Sequence, residues 1–418
     1  VGAAVVILSF EGPDRYSLVG GLGTRVTELS AAFAEAGHET ELYFVGDPAL
    51  PAIEERGPRL RYRRWGQWIS AYHPKDVYDG EQGKVNDFTS SVPPYVIDEI
   101  VAPAAARGER ALVLAEEWQT APATIALDRQ LRARGLRGAA TILWNANNTY
   151  GFDGIDWRAL RAAATITTVS KYMKFELGLR GQSALVVPNG IPARLLEGPP
   201  AALVRRFRES LDGLPLLVKV GRFDADKRWF QAIDALAELH AAGYGARLVI
   251  RGGRQPYAED VYRRARERGL TRGEIRVSGD DPDALFAQLA QAPEDIVDLQ
   301  AFLPEEMLYA LYVAGDAVLA NSGKEPFGLV GLEVMASGGL AVCGATGEEY
   351  AEPFVNAIVV DTDDGRELAA YLRGVVDEPA TGAAMRAAGR ETAERYTWPT
   401  VIETLTRKLA FVDELQGS

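Results

Sequence analysis

Twice along this chain, short β-branched runs alternate with segments of helical period, and a Gly/Pro-rich stretch separates the two series. Such alternation is the mark of βα units, which bury parallel strands under helices. In the first series Ala3–Phe10 reads as a buried strand. Thr24–Ala36 follows as a helix with Val26, Leu29, Phe33 and Ala36 on one stripe, closed by Gly37 as a left-handed C′ residue. Glu39–Val45, Ala111–Ala115, Ala139–Leu143 and Thr165–Val169 continue as strands. The periodicity breaks across Gly190–Ala202, which holds Ile191-Pro192 and Gly198-Pro199-Pro200 and reads as a linker. Strands resume at Leu216–Val220, Arg247–Ile250, Ile275–Val277, Ile296–Leu299, Ala317–Ala320 and Leu340–Cys343. Helical segments Glu367–Val376, Met385–Tyr396 and Pro399–Leu415 close the chain without a strand. The expectation is an α/β protein of two separately wound Rossmann-type domains. Its ligand is expected in the cleft between them, beyond the carboxyl ends of the strands.

Composition narrows the functions this architecture can serve. The 418 residues suit two domains of about 200 each. Lys and Arg total 45 against 58 Asp and Glu, and the net charge of −13 argues against a general nucleic-acid binder. No apolar run approaches the roughly 18 residues of a membrane span. The opening Val1–Leu8 has no basic n-region and is read as a strand, not a signal peptide. A single cysteine, Cys343, forbids an internal disulfide and fits a reducing, cytoplasmic compartment. One cysteine and three histidines cannot build an ordinary zinc site without several carboxylates.

Three loops carry the chemistry. Gly20-Gly21-Leu22-Gly23 precedes the first helix but fails the dinucleotide fingerprint, because Val26 stands at the third glycine position. It reads either as an amide cradle for a phosphate or as glycines that let a helix pack closely. Gly221-Arg222-Phe223-Asp224-Ala225-Asp226-Lys227 follows a strand directly, and its two cations suit a diphosphate. Asp224 and Asp226 spell a pair that could hold a divalent ion; a turn stabilised by side-chain bonds is the favoured reading. The third loop, Asn321-Ser322-Gly323-Lys324-Glu325-Pro326-Phe327-Gly328, opens a helix near Gly328. It would present the free amides of Phe327, Gly328, Leu329 and Val330 to an anion. Glu325 lies ahead of that terminus and Glu333 about five residues inside it, roughly 7–8 Å along the axis. Carboxylates so placed suit hydroxyl pairs on either side of a phosphate; the bland alternative is a capping residue and a salt bridge. On the first half, Arg59, Arg61, Arg63 and Arg64 lead into Trp65, Trp68 and Tyr72, which read as a surface strand, as a site for a sugar or a phosphorylated or lipid-linked acceptor, or, against the net charge, as a nucleic-acid contact. Glu116 and Glu117 follow a strand and are expected to face the same cleft.

Together, Gly20-Gly21-Leu22-Gly23, Gly221-Arg222…Lys227, Glu325-Pro326-Phe327-Gly328…Glu333 and Tyr396-Thr397-Trp398 resemble the family 4 retaining glycosyltransferases of the GT-B fold. That family includes bacterial glycogen synthase and sucrose-phosphate synthase. The resemblance implies two Rossmann-like domains facing a cleft. The first, residues 1–195, would take the acceptor and receive a final helix, 397–418, crossing back to it; the second, 196–396, would take the donor. It implies that Glu325 binds the donor sugar, that Gly20, Gly21, Gly221 and Phe327–Val330 meet sugar and phosphate, and that Glu333 holds the ribose. Arg222 and Lys227 would neutralise the diphosphate, with no metal and no cofactor. Two departures stand out. Val19 occupies the position where bacterial glycogen synthases carry Lys, and Asn145 stands where many members carry a His near the donor sugar. A neutral amide can bond a hydroxyl but cannot act as acid or base.

The expected activity is retaining transfer of a hexose, glucose favoured, from a nucleotide diphosphate sugar to a hydroxyl acceptor. UDP is favoured, with ADP and GDP open. The acceptor would be a sugar, polysaccharide, small molecule or lipid-linked species, touched by Trp68, Tyr72, Glu117 and Asp153, with peripheral membrane association if it is a lipid. Rival readings are a sugar-nucleotide epimerase of similar architecture, a dehydrogenase using the glycine cluster, and a non-catalytic sugar-nucleotide binder.

Overall fold

The computed structural model describes residues 4–253 and 255–417, so Ala3 at the start of the expected first strand lies outside them. The chain forms two units, Val1–Gly190 with Trp398–Ser418, and Ile191–Thr397. Unit 1 is built on β1 (Val5–Leu8), β2 (Thr40–Val45), β3 (Ile53–Gly57), β4 (Leu60–Trp65), β5 (Ala111–Glu116), β6 (Ala140–Ala146), β7 (Thr165–Thr168) and β8 (Leu185–Val186). Their order in the sheet is β3-β4-β2-β1-β5-β6-β7-β8. Every pairing is parallel except that of β3 with β4. Unit 2 holds β9 (Leu216–Val220), β10 (Arg247–Arg251), β11 (Arg272–Ile275), β12 (Ile296–Leu299), β13 (Ala317–Ala320), β14 (Ala341–Gly344) and β15 (Ile358–Val360). These lie in the order β11-β12-β10-β9-β13-β14-β15, all parallel.

Helices on both faces explain why β1, β5 and β6 are buried along their whole length and read as continuous apolar runs. The carboxylate and amide of those strands, Glu116 on β5 and Asn145 on β6, stand at their carboxyl ends. Strand order reverses between β1 and β5 in unit 1 and between β9 and β13 in unit 2. Loops leaving those strands diverge to opposite faces of the sheet and leave a crevice beyond its carboxyl edge.

The antiparallel pair β3–β4 gives Arg61, Arg63 and Arg64 a structural use. Arg63 and Arg61 both bond Glu41, while Arg64 is buried against Asp14. The helix α1 (Gly21–Glu35) starts inside the glycine cluster, three residues before the expected Thr24. The helix α2 (Trp229–Ala241) packs on the second sheet, α3 (Leu329–Ser337) follows β13, and α4 (Trp398–Gly417) lies in unit 1. There Trp398, Val401, Ile402, Leu405 and Val412 join the core formed by β1, β2 and α1.

Candidate active site

In unit 2 the switch point is clamped from below. Lys219, fully inside the sheet on β9, donates to the carbonyl of Leu319 at 3.0 Å and to Asn321 Oδ1 at 2.6 Å. Asn321 passes the bond on to Gln231 on α2, and Gln231 to the carbonyl of Thr362. Burial, reinforced by the nearby charges of Lys227 and Arg228, holds the Lys219 ammonium well below its ordinary range. This network fixes the starts of the loops after β9 and β13, and nothing in the sequence pattern announces it, because a lysine inside a strand reads as an edge residue.

On that base the two loops meet. Lys227 ends a short 3-10 turn, Ala225–Lys227, capped by Asp224, whose carboxylate accepts from the Asp226 amide. The Asp224–Asp226 pair is thus engaged in a local turn, and among the described residues no group of three or more His, Cys, Asp or Glu is placed to hold a metal ion. Lys227 Nζ lies 2.5 Å from Glu325 Oε2, each side chain about one quarter exposed. The pair joins two of the sequence candidates across 98 residues. Arg222 is exposed, and its carbonyl receives the Trp229 indole N–H at 2.9 Å. Gly221 donates its amide to the carbonyl of Arg251.

Gly328 caps α3 in the left-handed region, φ 78°, which a side chain would strain. The first-turn amides of Leu329 and Val330 have no preceding turn to bond, and the loop that carries Glu325 leads directly into this positive end of the helix. Phe327 is not a ligand-facing ring. It is 2% exposed and packs with Tyr350 and Tyr396, which anchors the loop ahead of the helix. Glu333 is half-buried on the first turns of α3, close enough to Tyr309 and Tyr312 for its charge to raise both phenols beyond what burial does.

A residue that sequence reasoning misses completes this end of the unit. Glu348, in the loop after β14, is 6% exposed; among the described residues no side chain hydrogen-bonds its carboxyl oxygens, and only the backbone of Gly344 and of Glu348 itself comes near them. Its carboxyl lies against Gly328: a Cβ there would come within 2.5 Å of Glu348 Cγ and 3.1 Å of Oε1.

In unit 1 the carboxyl edge of the sheet is crowded with polar groups. The amides of Gly20 and Gly23 both donate at 3.0 Å to Glu11 Oε2, and Tyr78 donates to the other oxygen of the same carboxylate. The cradle offered by the glycine cluster is therefore filled by the chain's own carboxylate, and Gly21 opens α1. Asn145 is buried on β6, with its amide N–H donating to Glu116 at 2.8 Å and its carbonyl accepting from Thr167 at 2.9 Å. Glu116 also holds Arg25 and Asn147.

Glu117 is more unusual. Its backbone sits at φ 68°, ψ 168°, a region that essentially only glycine visits without strain. Its side chain accepts from the Asn147 amide at 2.6 Å, and its carbonyl accepts from the Trp144 indole. Burial pushes its carboxyl up to about 8. Of the other acceptor candidates, Trp68 and Tyr72 are 66% and 80% exposed, and Asp153 is exposed on a 3-10 turn, Phe152–Gly154, whose Phe152 packs near Trp144.

Comparison with known proteins follows the same division. Residues 204–392, within unit 2, match the family described as "Glycosyl transferases group 1". A 2-deoxystreptamine glucosyltransferase of Streptomyces kanamyceticus is 29% identical over 247 residues, 56% of this chain and 56% of that protein. The chain spans about half or less of the length of the curated relatives it matches. Among solved structures, sucrose-phosphate synthase from Thermosynechococcus elongatus superposes with a TM-score of 0.67 at 20% identity, covering 97% of this chain and 99% of that one. A UDP-forming α,α-trehalose-phosphate synthase from Burkholderia xenovorans, in complex with glucose-6-phosphate, gives 0.64 at 15% identity, covering 98% and 100%. At these identities the likeness shows the fold, two Rossmann-like parallel-sheet domains of the GT-B type.

Proposed function

Because residues 204–392 are a glycosyl transferases group 1 domain and the fold is GT-B, we propose that this chain is a retaining glycosyltransferase using a nucleotide diphosphate sugar. The observation that carries the reading is the Lys227–Glu325 pair at the N-terminal end of α3. A diphosphate needs a cation and a helix terminus; a sugar needs a carboxylate that accepts from neighbouring hydroxyls. The loops after β9 and β13 supply both within one ion-pair distance.

In this reading Lys227 and Arg222 bind the diphosphate with the first-turn amides of α3, Glu325 holds sugar hydroxyls, and Glu333 holds the ribose. The departing diphosphate is stabilised by this fixed positive charge, so the reaction runs without a divalent metal. Its own oxygen takes the proton of the acceptor hydroxyl on the same face of the sugar. Asn145 serves by positioning, since both ends of its amide are bonded inside unit 1. Unit 1 is assigned the acceptor. UDP-glucose is the proposed donor: a solved neighbour of this fold is described as UDP-forming, and a curated relative as a glucosyltransferase.

A thermal-shift panel of UDP-, ADP- and GDP-sugars tests the reading, because a ligand that binds only the folded state raises the melting temperature by mass action. A UDP-sugar is expected to give the largest shift. No shift with any nucleotide sugar would remove the assignment.

A further inference from the structure

A carboxyl buried with no cation or side-chain donor bonded to it is driven to keep its proton, because an unpaired buried charge costs several kcal/mol or more. Glu348 is such a group. The loop that carries it is moulded onto the loop that carries Glu325. A Cβ on Gly347 would overlap the backbone oxygen of Glu325, one on Gly344 would overlap the carbonyl of Ser322, and one on Gly328 would meet Glu348 itself. The charged and titratable groups facing Glu348 are Lys227 and Glu325 from the loops after β9 and β13, Cys343 from β14, and Tyr350 from its own loop. Burial, with the charge of Glu325 behind it, holds the acid well above the ordinary carboxylate range against the pull of the backbone at Glu348 and Gly344 and of Lys227.

The Lys227–Glu325 pair poses a problem that this acid answers. A diphosphate competes with Glu325 for the same ammonium. Once Lys227 turns to the phosphates, the Glu325 carboxylate is left without its counter-ion at the moment it must hold the sugar. A second ionised carboxylate beside it would repel it; a carboxylic acid beside it donates a hydrogen bond. We propose that Glu348 is a neutral acid whose O–H positions the Glu325 carboxylate for the donor sugar, taking over from Lys227 when the diphosphate claims that ammonium. Its proton stays on Glu348 throughout, so no bond to hydrogen is broken. The proposal rests on the reading of this site as a nucleotide-sugar site.

Two substitutions separate the O–H from mere bulk. Glu348→Met keeps the length of the side chain and removes the donor; Glu348→Gln keeps a neutral donor. Infrared difference spectra of the wild type against Glu348→Gln at neutral pH should show the C=O band of a protonated carboxyl that the variant lacks, and that band should shift when UDP-glucose is added. Calorimetry should find Glu348→Met weaker for UDP-glucose by about tenfold or more, with UDP changed by less than about threefold. Glu348→Gln should recover UDP-glucose binding to within about threefold of wild type. Absence of the band, equal affinity of Glu348→Met and wild type, or a Gln variant as weak as the Met variant overturns the proposal. A wild type that shows the band but binds neither UDP, UDP-glucose nor the other nucleotide sugars overturns the functional reading, and the positioning role with it.

Discussion

Glu325 and Lys227 already spend their charges on each other, at 2.5 Å, and this changes what removing either one should do. Glu325→Gln deletes a charge-assisted bond to the sugar, worth about 1.5–3 kcal/mol, so nucleotide-sugar affinity should fall about ten- to a hundredfold. It also releases Lys227, so the plain nucleoside diphosphate should bind at least as tightly as before. Glu333→Gln should weaken both ligands alike, since each carries the ribose. Calorimetry with UDP and UDP-glucose on both variants checks the split, and a Glu325→Gln protein that loses UDP as badly as the conjugate contradicts it. Glu117 gives a second test. Its carboxyl rises from the ordinary 4.5 to about 8 on folding, so between those values the folded state holds a proton that the unfolded chain has released. Stability from this group is complete below pH 4.5 and drains away as pH climbs toward 8. Glu117→Gln keeps an oxygen for the Asn147 amide and has no proton to lose. Its melting temperature should match wild type in acid and exceed it increasingly up to pH 8, by the equivalent of roughly 3–5 kcal/mol, then run parallel. A constant offset across the range would show that Glu117 is not buried neutral.

At the scale of elements, the site is two loops held together by a third. Gly347 lies in the left-handed region, φ 87°, with its Cα pressed on the backbone of Glu325. Gly347→Ala adds both conformational strain and a backbone clash that no rotamer relieves, so a cost of about 2–4 kcal/mol is expected. Urea denaturation should show that loss, and UDP binding should weaken with it; a Gly347→Ala protein of unchanged midpoint would mean the loops are not packed as described. This third loop marks the limit of what the sequence discloses. The strands β9 and β13 and the Glu325–Glu333 spacing are legible because they rest on local period and local order. The loop after β14 folds back across 20 residues onto Gly328, so its Glu348 carries no signal at the level of spacing. The same holds in unit 1, where Gly20 and Gly23 read as a phosphate cradle because the sequence cannot show Glu11 reaching their amides. Asn145 is picked out only by the resemblance, as the residue standing where many members carry a His; that Glu116 and Thr167 consume its amide is a tertiary fact. The pair β3–β4 escapes a sequence reading because Arg61, Arg63 and Arg64 hide its pattern until Glu41 and Asp14 are seen beside them.

Over the whole molecule, the chain order and the units disagree at one end: the last twenty residues of the described chain belong with the first unit. The reason is stereochemical. Buried positions of α4 recur at Trp398, Val401, Ile402, Leu405 and Val412, a single helical stripe that joins the core of β1, β2 and α1. Polar contacts finish the seam, with Lys408 donating to the carbonyl of Val186 and Gln416 bonding both the amide and the carbonyl of Ile142 on β6. Trp398 leads the stripe at 2% exposure, and a Cβ on Gly190 would overlap its indole, so the two points where the chain passes between units are packed together. Trp398→Ala should therefore cost about 3–5 kcal/mol, the usual range for truncating a buried aromatic residue. The loss should fall on unit 1 although the substitution lies beside unit 2 in sequence. Hydrogen exchange followed by mass spectrometry distinguishes the two: peptides covering β1, β2 and β5 should lose protection while those covering β9 and β13 keep theirs. Equal loss in both units, or loss confined to β9 and β13, would mean that α4 does not belong to the first core.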